Sequence, residues 1–177
     1  MNVGKLLETV NSLVPLNYAF DDDFVGLTVG LEDSEVKGVA VAHELENSIL
    51  DYSTNNNINT LITYHPPPLK KILKDDGTET FEDDLLTAKC RESGLNIITI
   101  HTAQDVCNGG NADSLVDLFG ITDPKVFAHT VGKFGAGRYG NITKTSNSKL
   151  KAIVESKLNT KIIRTNEYFQ EIKEINT

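Results

Sequence analysis

Three short runs of apolar, mostly β-branched residues constrain this chain most: Val36 to Ala42, Asn59 to Thr63 and Asn96 to Ile100. Each has the length of a strand, and the segments between them carry apolar residues at helical spacing. Leu6, Leu7, Val10, Leu13 and Val14 mark an opening helix that Pro15 ends. Glu44 to Tyr52 places Leu45, Ile49 and Leu50 on one face, and Thr80 to Glu92 does the same with Phe81, Leu85, Leu86 and Ala88 before Ser93-Gly94. Ala112 to Phe119 reads as a further helix ending at Gly120. Strands alternating with helices predict an α/β fold with a mostly parallel sheet flanked by helices.

The texture changes at Asp123-Pro124, which divides an N-terminal α/β domain, 1–122, from a second unit, 123–177. Lys133 to Gly140 is rich in glycine but lacks the Gly-Lys-Ser/Thr ending of a phosphate loop, so a hairpin turn with glycine at positive φ is the expectation. Asn147 to Leu158 reads as a helix and Lys161 to Arg164 as a strand. Together they resemble the opening β-α-β of a second α/β unit that the chain does not complete.

Functional residues in parallel sheets gather beyond the carboxyl ends of the strands. His43-Glu44 follows the first strand, Tyr64-His65 the second, and His101 with Asp105 the third. Pro66, Pro67 and Pro68 stiffen the backbone behind His65, which suits a ligand or a catalytic group. An imidazole and a carboxylate together can bind Zn, Fe or Mn. Each residue alone has an ordinary reading, a strand-end histidine bonded locally or an aspartate capping a helix. Their convergence points to a site, with His65 and Asp105 as metal ligands and Glu44 and His101 as candidate catalytic groups. His43, His129 and Cys107 are assigned to packing.

Composition narrows the partners. A net charge of −8 disfavours binding to a phosphate backbone, and Lys70, Lys71 and Lys74 read as a solvated face. Cys90 and Cys107 form neither a CxxC pair nor a disulfide framework. No signal-peptide pattern opens the chain and no apolar stretch approaches the ~20 residues of a membrane span, so a cytoplasmic location is expected.

Four segments in order resemble the NGG-one-interacting factor three family, whose bacterial members carry the name GTP cyclohydrolase I type 2 homologue. Asp23-Phe24-Val25-Gly26-Leu27-Thr28-Val29-Gly30 is similar to its D-N-x-G-L-x-V-G signature, with Phe24 in place of Asn. Val39 to Glu44 resembles its strand ending in Leu-Asp, and Leu61 to Pro67 its strand ending in His-His-Pro, here in the Tyr-His-Pro-Pro form of eukaryotic members. His101 to Asp105, followed by Gly109 to Leu115, resembles H-T-x-x-D…G-x-N-x-x-L, and Gly135-Ala136-Gly137-Arg138 resembles G-x-G-R.

The resemblance implies a site for two metal ions between two α/β halves, often in a ring-shaped hexamer. Its ligands are a His-His pair, the Asp of H-T-x-x-D, and a His and Glu near the C-terminus. Here His65 and Asp105 match ligands, Tyr64 replaces the first His, and the C-terminal pair has no counterpart before Thr177. A catalytic metal takes about three protein ligands and an open position. The expectation is therefore a non-catalytic, partner-binding or regulatory member in which divalent metal is weak or absent. Its partner would be a protein, a second copy, or a ribonucleoprotein assembly such as a ribosome, without direct nucleic-acid binding. The competing expectation is a metal-dependent hydrolase of a nucleotide or phosphoester, completed by another subunit. One of Gly26 and Gly30 is also expected at positive φ.

Overall fold

The structure is a computed structural model that describes residues 1–162 and 171–172. Its order is α1 (Val3–Leu13), β1 (Gly26–Val29), β2 (Val39–Ala42), α2 (Asn47–Asn55), β3 (Thr60–Thr63), β4 (Leu69–Leu73), β5 (Glu79–Asp83), α3 (Leu85–Glu92), β6 (Asn96–Thr99), α4 (His101–Val106), α5 (Asn111–Phe119), β7 (Thr122–His129), β8 (Gly135–Asn141), β9 (Thr145–Ser146), α6 (Asn147–Leu158) and β10 (Glu171–Ile172). The chain divides into two compact units, Met1–Gln104 and Asp105–Thr177. The division falls earlier than residue 122 because α5 belongs with the hairpin behind it: Arg138 on β8 donates to Asp113 of α5 at 2.7 Å.

The first unit holds a four-stranded sheet in the order β1-β6-β3-β2. β2, β3 and β6 run parallel, and β1 is antiparallel to β6. Alternation along each strand feeds two cores. Leu61 and Ile97 face one side with Leu45, Leu50, Cys90 and Leu95, while Ile98 faces the other with Val3, Leu6 and Val10 of α1. β6 is buried at every position, as expected of a central strand covered on both faces.

Local chemistry adjusts several boundaries. The helix read over Glu44 to Tyr52 begins at Asn47, which leaves His43 and Glu44 in the bend beyond β2. The helix read over Thr80 to Glu92 is half strand, since Glu79–Asp83 pairs antiparallel with Leu69–Leu73. α3 starts only where Asp84 Oδ1 accepts from the amides of Leu86 and Thr87 at 2.8 and 2.9 Å. Both Gly26 and Gly30 have positive φ, 94° and 104°. At Gly30 a Cβ would lie 2.2 Å from Asn96 Oδ1, the atom that accepts from the Leu31 amide.

The second unit opens on an antiparallel hairpin, β7 with β8, and not on a β-α-β crossover. Gly132 takes the expected positive φ in the turn, and Gly135 and Gly137 let β8 press against β7. The Cβ of an alanine at Gly137 would meet the Phe127 ring at 2.3 Å. Ser146 caps α6 by accepting from the Lys149 amide, and Asn159 closes it in the left-handed region. Lys161 and Ile162 are not in a strand, and the rest of the strand read at 161–164 lies outside the described residues.

Candidate functional site

The strand ends of the first unit gather a ring cluster. His43 follows β2, Tyr64 and His65 follow β3, and His101 follows β6. Backbone ties hold these ends in step: the Tyr64 amide donates to Ala42, the His65 amide to His43 at 2.8 Å, and the His101 amide to Tyr64 at 2.9 Å. His43 and Tyr64 stack nearly flat, 5.3 Å apart at 7°. His65 lies 4.5 Å from His43 and 5.6 Å from His101, and Tyr64 meets the His101 edge at 5.5 Å.

Two carboxylates serve this cluster in different ways. Glu44 reaches His65 Nδ1 at 3.5 Å with both side chains well exposed, a loose contact of little energetic worth. Asp23 is the firm one. Its side chain is only 8% exposed, and Oδ1 meets His101 Nδ1 at 2.6 Å. Oδ2 accepts from the Thr102 amide at 3.2 Å and from the Thr102 hydroxyl. Burial pushes the Asp23 carboxyl up, but the bonds from Thr102 and His101 outweigh it and hold the group below its ordinary 3.8. Because an ionised carboxylate only accepts, His101 donates through Nδ1 and presents Nε2 as its acceptor. The same contacts hold His101 at a φ of +20°, sparsely populated for a non-glycine residue.

Of the residues singled out from the sequence, Glu44, His65 and His101 come together in the first unit. Asp105 stands four residues after His101 in α4 and belongs to the second unit, where its Oδ1 accepts from Asn111 Nδ2 at 2.7 Å. His43, assigned to packing, is an exposed member of the cluster. Asp23 and Thr102 escaped the sequence reading as site residues. Their partners lie 78 and 79 residues apart in the chain, and the one local sign was Asp23 opening the first quoted motif. Lys71 pairs with Glu79 across the β4–β5 hairpin at 2.7 Å. Cys107 is buried, which pushes its thiol up, and Asp113 adds to the shift.

The comparisons with known proteins bear on what such a cluster is. The Duf34/NIF3 (NGG1p interacting factor 3) profile matches residues 1–177. The chain belongs to the Duf34/NIF3 family. It is 26% identical over 130 residues to a Bacillus subtilis protein named GTP cyclohydrolase 1 type 2 homolog, covering 73% of this chain and 34% of the relative. The relative of the same name from Methanocaldococcus jannaschii is 25% identical over 164 residues, covering 89% and 66%. The chain thus spans about a third to two thirds of the length of these relatives. In fold it is similar to a Staphylococcus aureus hypothetical protein (TM-score 0.75, 22% identity, 98% of this chain and 70% of that one). It is also similar to reduced HcgD from Methanocaldococcus jannaschii (TM-score 0.65, 22% identity, 88% and 60%).

The family resemblance implies a dinuclear metal centre, and of its ligand positions the first unit places Tyr64 and His65 beside His43 and His101. Among the described residues no group of three or more His, Cys, Asp or Glu side chains is placed to hold a metal ion. At Tyr64, where the resemblance implies a histidine, the chain carries a phenol oxygen in place of an imidazole nitrogen. His101 meets Asp23 through Nδ1, a bond that fixes the ring and leaves Nε2 open. The cluster thus carries an imidazole oriented by Asp23 at His101 and a looser one near Glu44 at His65. Among the described residues no helix is long and apolar enough to cross a membrane.

Proposed function

We propose that this chain is a non-catalytic, partner-binding member of the Duf34/NIF3 family. What supports the reading is the donor set: Tyr64 stacks on His43, at a position where the family resemblance implies a metal-binding histidine. A second observation supports it from the surface. Among the described residues β2 is the outermost strand of its sheet, and Val41 and Val39, on one face of it, are 78% and 42% exposed. On the opposite side of the same strand Ala40 packs into the core. An open strand edge with apolar residues is a surface that proteins normally cover.

The reading is tested on the purified chain incubated with Zn²⁺, Mn²⁺ or Fe²⁺ and assayed against GTP and phosphoester substrates. No metal-dependent turnover is expected. Turnover that depends on metal, and that His65→Ala abolishes, would establish the hydrolase instead.

A further inference from the structure

The second unit contains an apolar groove of about 710 Å³ that the cluster above does not use. It is lined by Leu118, Ile121 and Ile142, and by Leu150, Ile153 and Val154 of α6. The spacing on α6 is that of a core-facing stripe, i, i+3, i+4, continued by Leu158. Helices of this length draw their stability from packing such a stripe, yet none of the residues of α6 is buried. Leu158 is 45% exposed, as is Leu115 on the facing helix.

Charge selects the occupant. Lys144, Lys149 and Lys157 border the groove against one acid, Asp117, although the chain as a whole carries −8. Glu155 turns away, its Oε1 accepting from the Ile162 amide at 2.8 Å. Among the described residues Lys149 and Lys157 make no ion pair, whereas Lys151, on the same helix, meets Glu155 at 3.9 Å. Lys149 and Lys157 stand eight residues apart, roughly 12 Å along α6. A single-headed amphiphile such as a fatty acid could satisfy one of them. A ligand with carboxylates two helical turns apart and an apolar face between them would satisfy both.

We propose that this groove docks an acidic amphipathic helix of a partner protein, with the partner's apolar stripe on Ile153 and Val154 and its carboxylates at Lys149 and Lys157. The proposal rests on the partner-binding reading and gives the partner its chemistry. Apolar burial would supply affinity, and the separated lysines would set orientation and exclude basic segments.

The test is fluorescence anisotropy of the full chain with a fluorescein-labelled helical peptide of about 16 residues, leucine-striped and bearing glutamates on both flanks. A second peptide carries lysine in place of every glutamate. The acidic peptide is expected to bind, and raising NaCl from about 0.05 M to about 0.5 M should weaken it several-fold. Exchanging Lys149→Glu and Lys157→Glu together should lower its affinity by about tenfold and admit the basic peptide. These are exposed side chains, so far-UV circular dichroism should stay unchanged. Equal binding of both peptides, or of the acidic peptide to wild type and double variant, overturns the proposal. So does binding of oleate in place of the peptide, or a dimer that Ile153→Asp dissociates, which would assign the groove to a lipid or to a second copy. Failure of the acidic peptide to bind overturns this groove assignment alone. The partner-binding reading falls separately, on metal-dependent turnover.

Discussion

Removing the carboxylate of Asp23 should loosen the ring cluster and lower stability together. Asp23 accepts from His101 Nδ1 at 2.6 Å, from the Thr102 amide at 3.2 Å and from the Thr102 hydroxyl, with its own side chain 8% exposed. Hydrogen bonds to a shielded charge contribute ~1.5–3 kcal/mol each. His101 is 26% exposed, so water can replace part of its bond and the sum is discounted. Asp23→Ala is therefore expected to cost about 2–4 kcal/mol, and Asp23→Asn, which keeps one acceptor oxygen, about half that. With a urea slope of about 2 kcal/mol per M, the Ala midpoint should fall by roughly 1–2 M. The pH dependence has a definite sign. The folded carboxyl titrates below its ordinary 3.8, so its contribution is complete above that value and is lost as pH falls through the lowered one. Wild type should therefore lose stability more steeply than Asp23→Asn as pH falls below about 4. An Ala variant within about 0.5 kcal/mol of wild type, or an Asn variant with the wild-type pH slope, would refute the clamp.

Three further outcomes follow from the backbone and the thiols. Gly30→Ala should lower the melting temperature by about 10 °C or more, because φ is 104° and a Cβ would sit 2.9 Å from the Asn96 Cα; a drop under about 2 °C would contradict this. Gly135→Ala should destabilise more than Gly137→Ala, since the first strikes backbone oxygens of Phe127 and Ala128 at 2.5 and 2.7 Å while the second strikes a partly exposed ring able to swing aside; the reverse order in a thermal melt would overturn the argument. Cys90, pushed up to about 11 by burial and then by Asp84, should carry about 100-fold less thiolate than a free cysteine, so native protein at pH 8 should resist a disulfide reagent until denatured.

The helices and strands that carry the site were legible because their apolar periodicity is strong. α1, β3, β6, α5 and α6 fall within a few residues of their sequence boundaries. The β4–β5 hairpin was misread because Phe81 mimics the first turn of a helix. The contrary signals were Asp76-Gly77 between two apolar runs and Asp84 in capping position. Gly77 has φ 80°, and the Lys74 amide closes the turn on Thr78 at 2.8 Å. At the site, the strand-end rule grouped Glu44, His65, His101 and Asp105, of which the first three come together in the first unit. It could not find Asp23, whose role depends on a loop folding back against a helix start 78 residues away. The open edge at β2 was equally hidden, because strand order is a tertiary fact. Val39 and Val41 look like core residues until β2 proves to be outermost.

The claim that this family member binds rather than catalyses rests on its donor set, and metal stoichiometry tests it most directly. The purified chain is incubated with Zn²⁺, Mn²⁺ and Fe²⁺ in turn, dialysed, and its metal measured by inductively coupled plasma mass spectrometry, alongside Tyr64→His and His65→Ala. The account predicts well under one equivalent of each metal in the wild type, and a gain in Tyr64→His, which restores a histidine beside His65. Two equivalents retained by the wild type and lost in His65→Ala would contradict it.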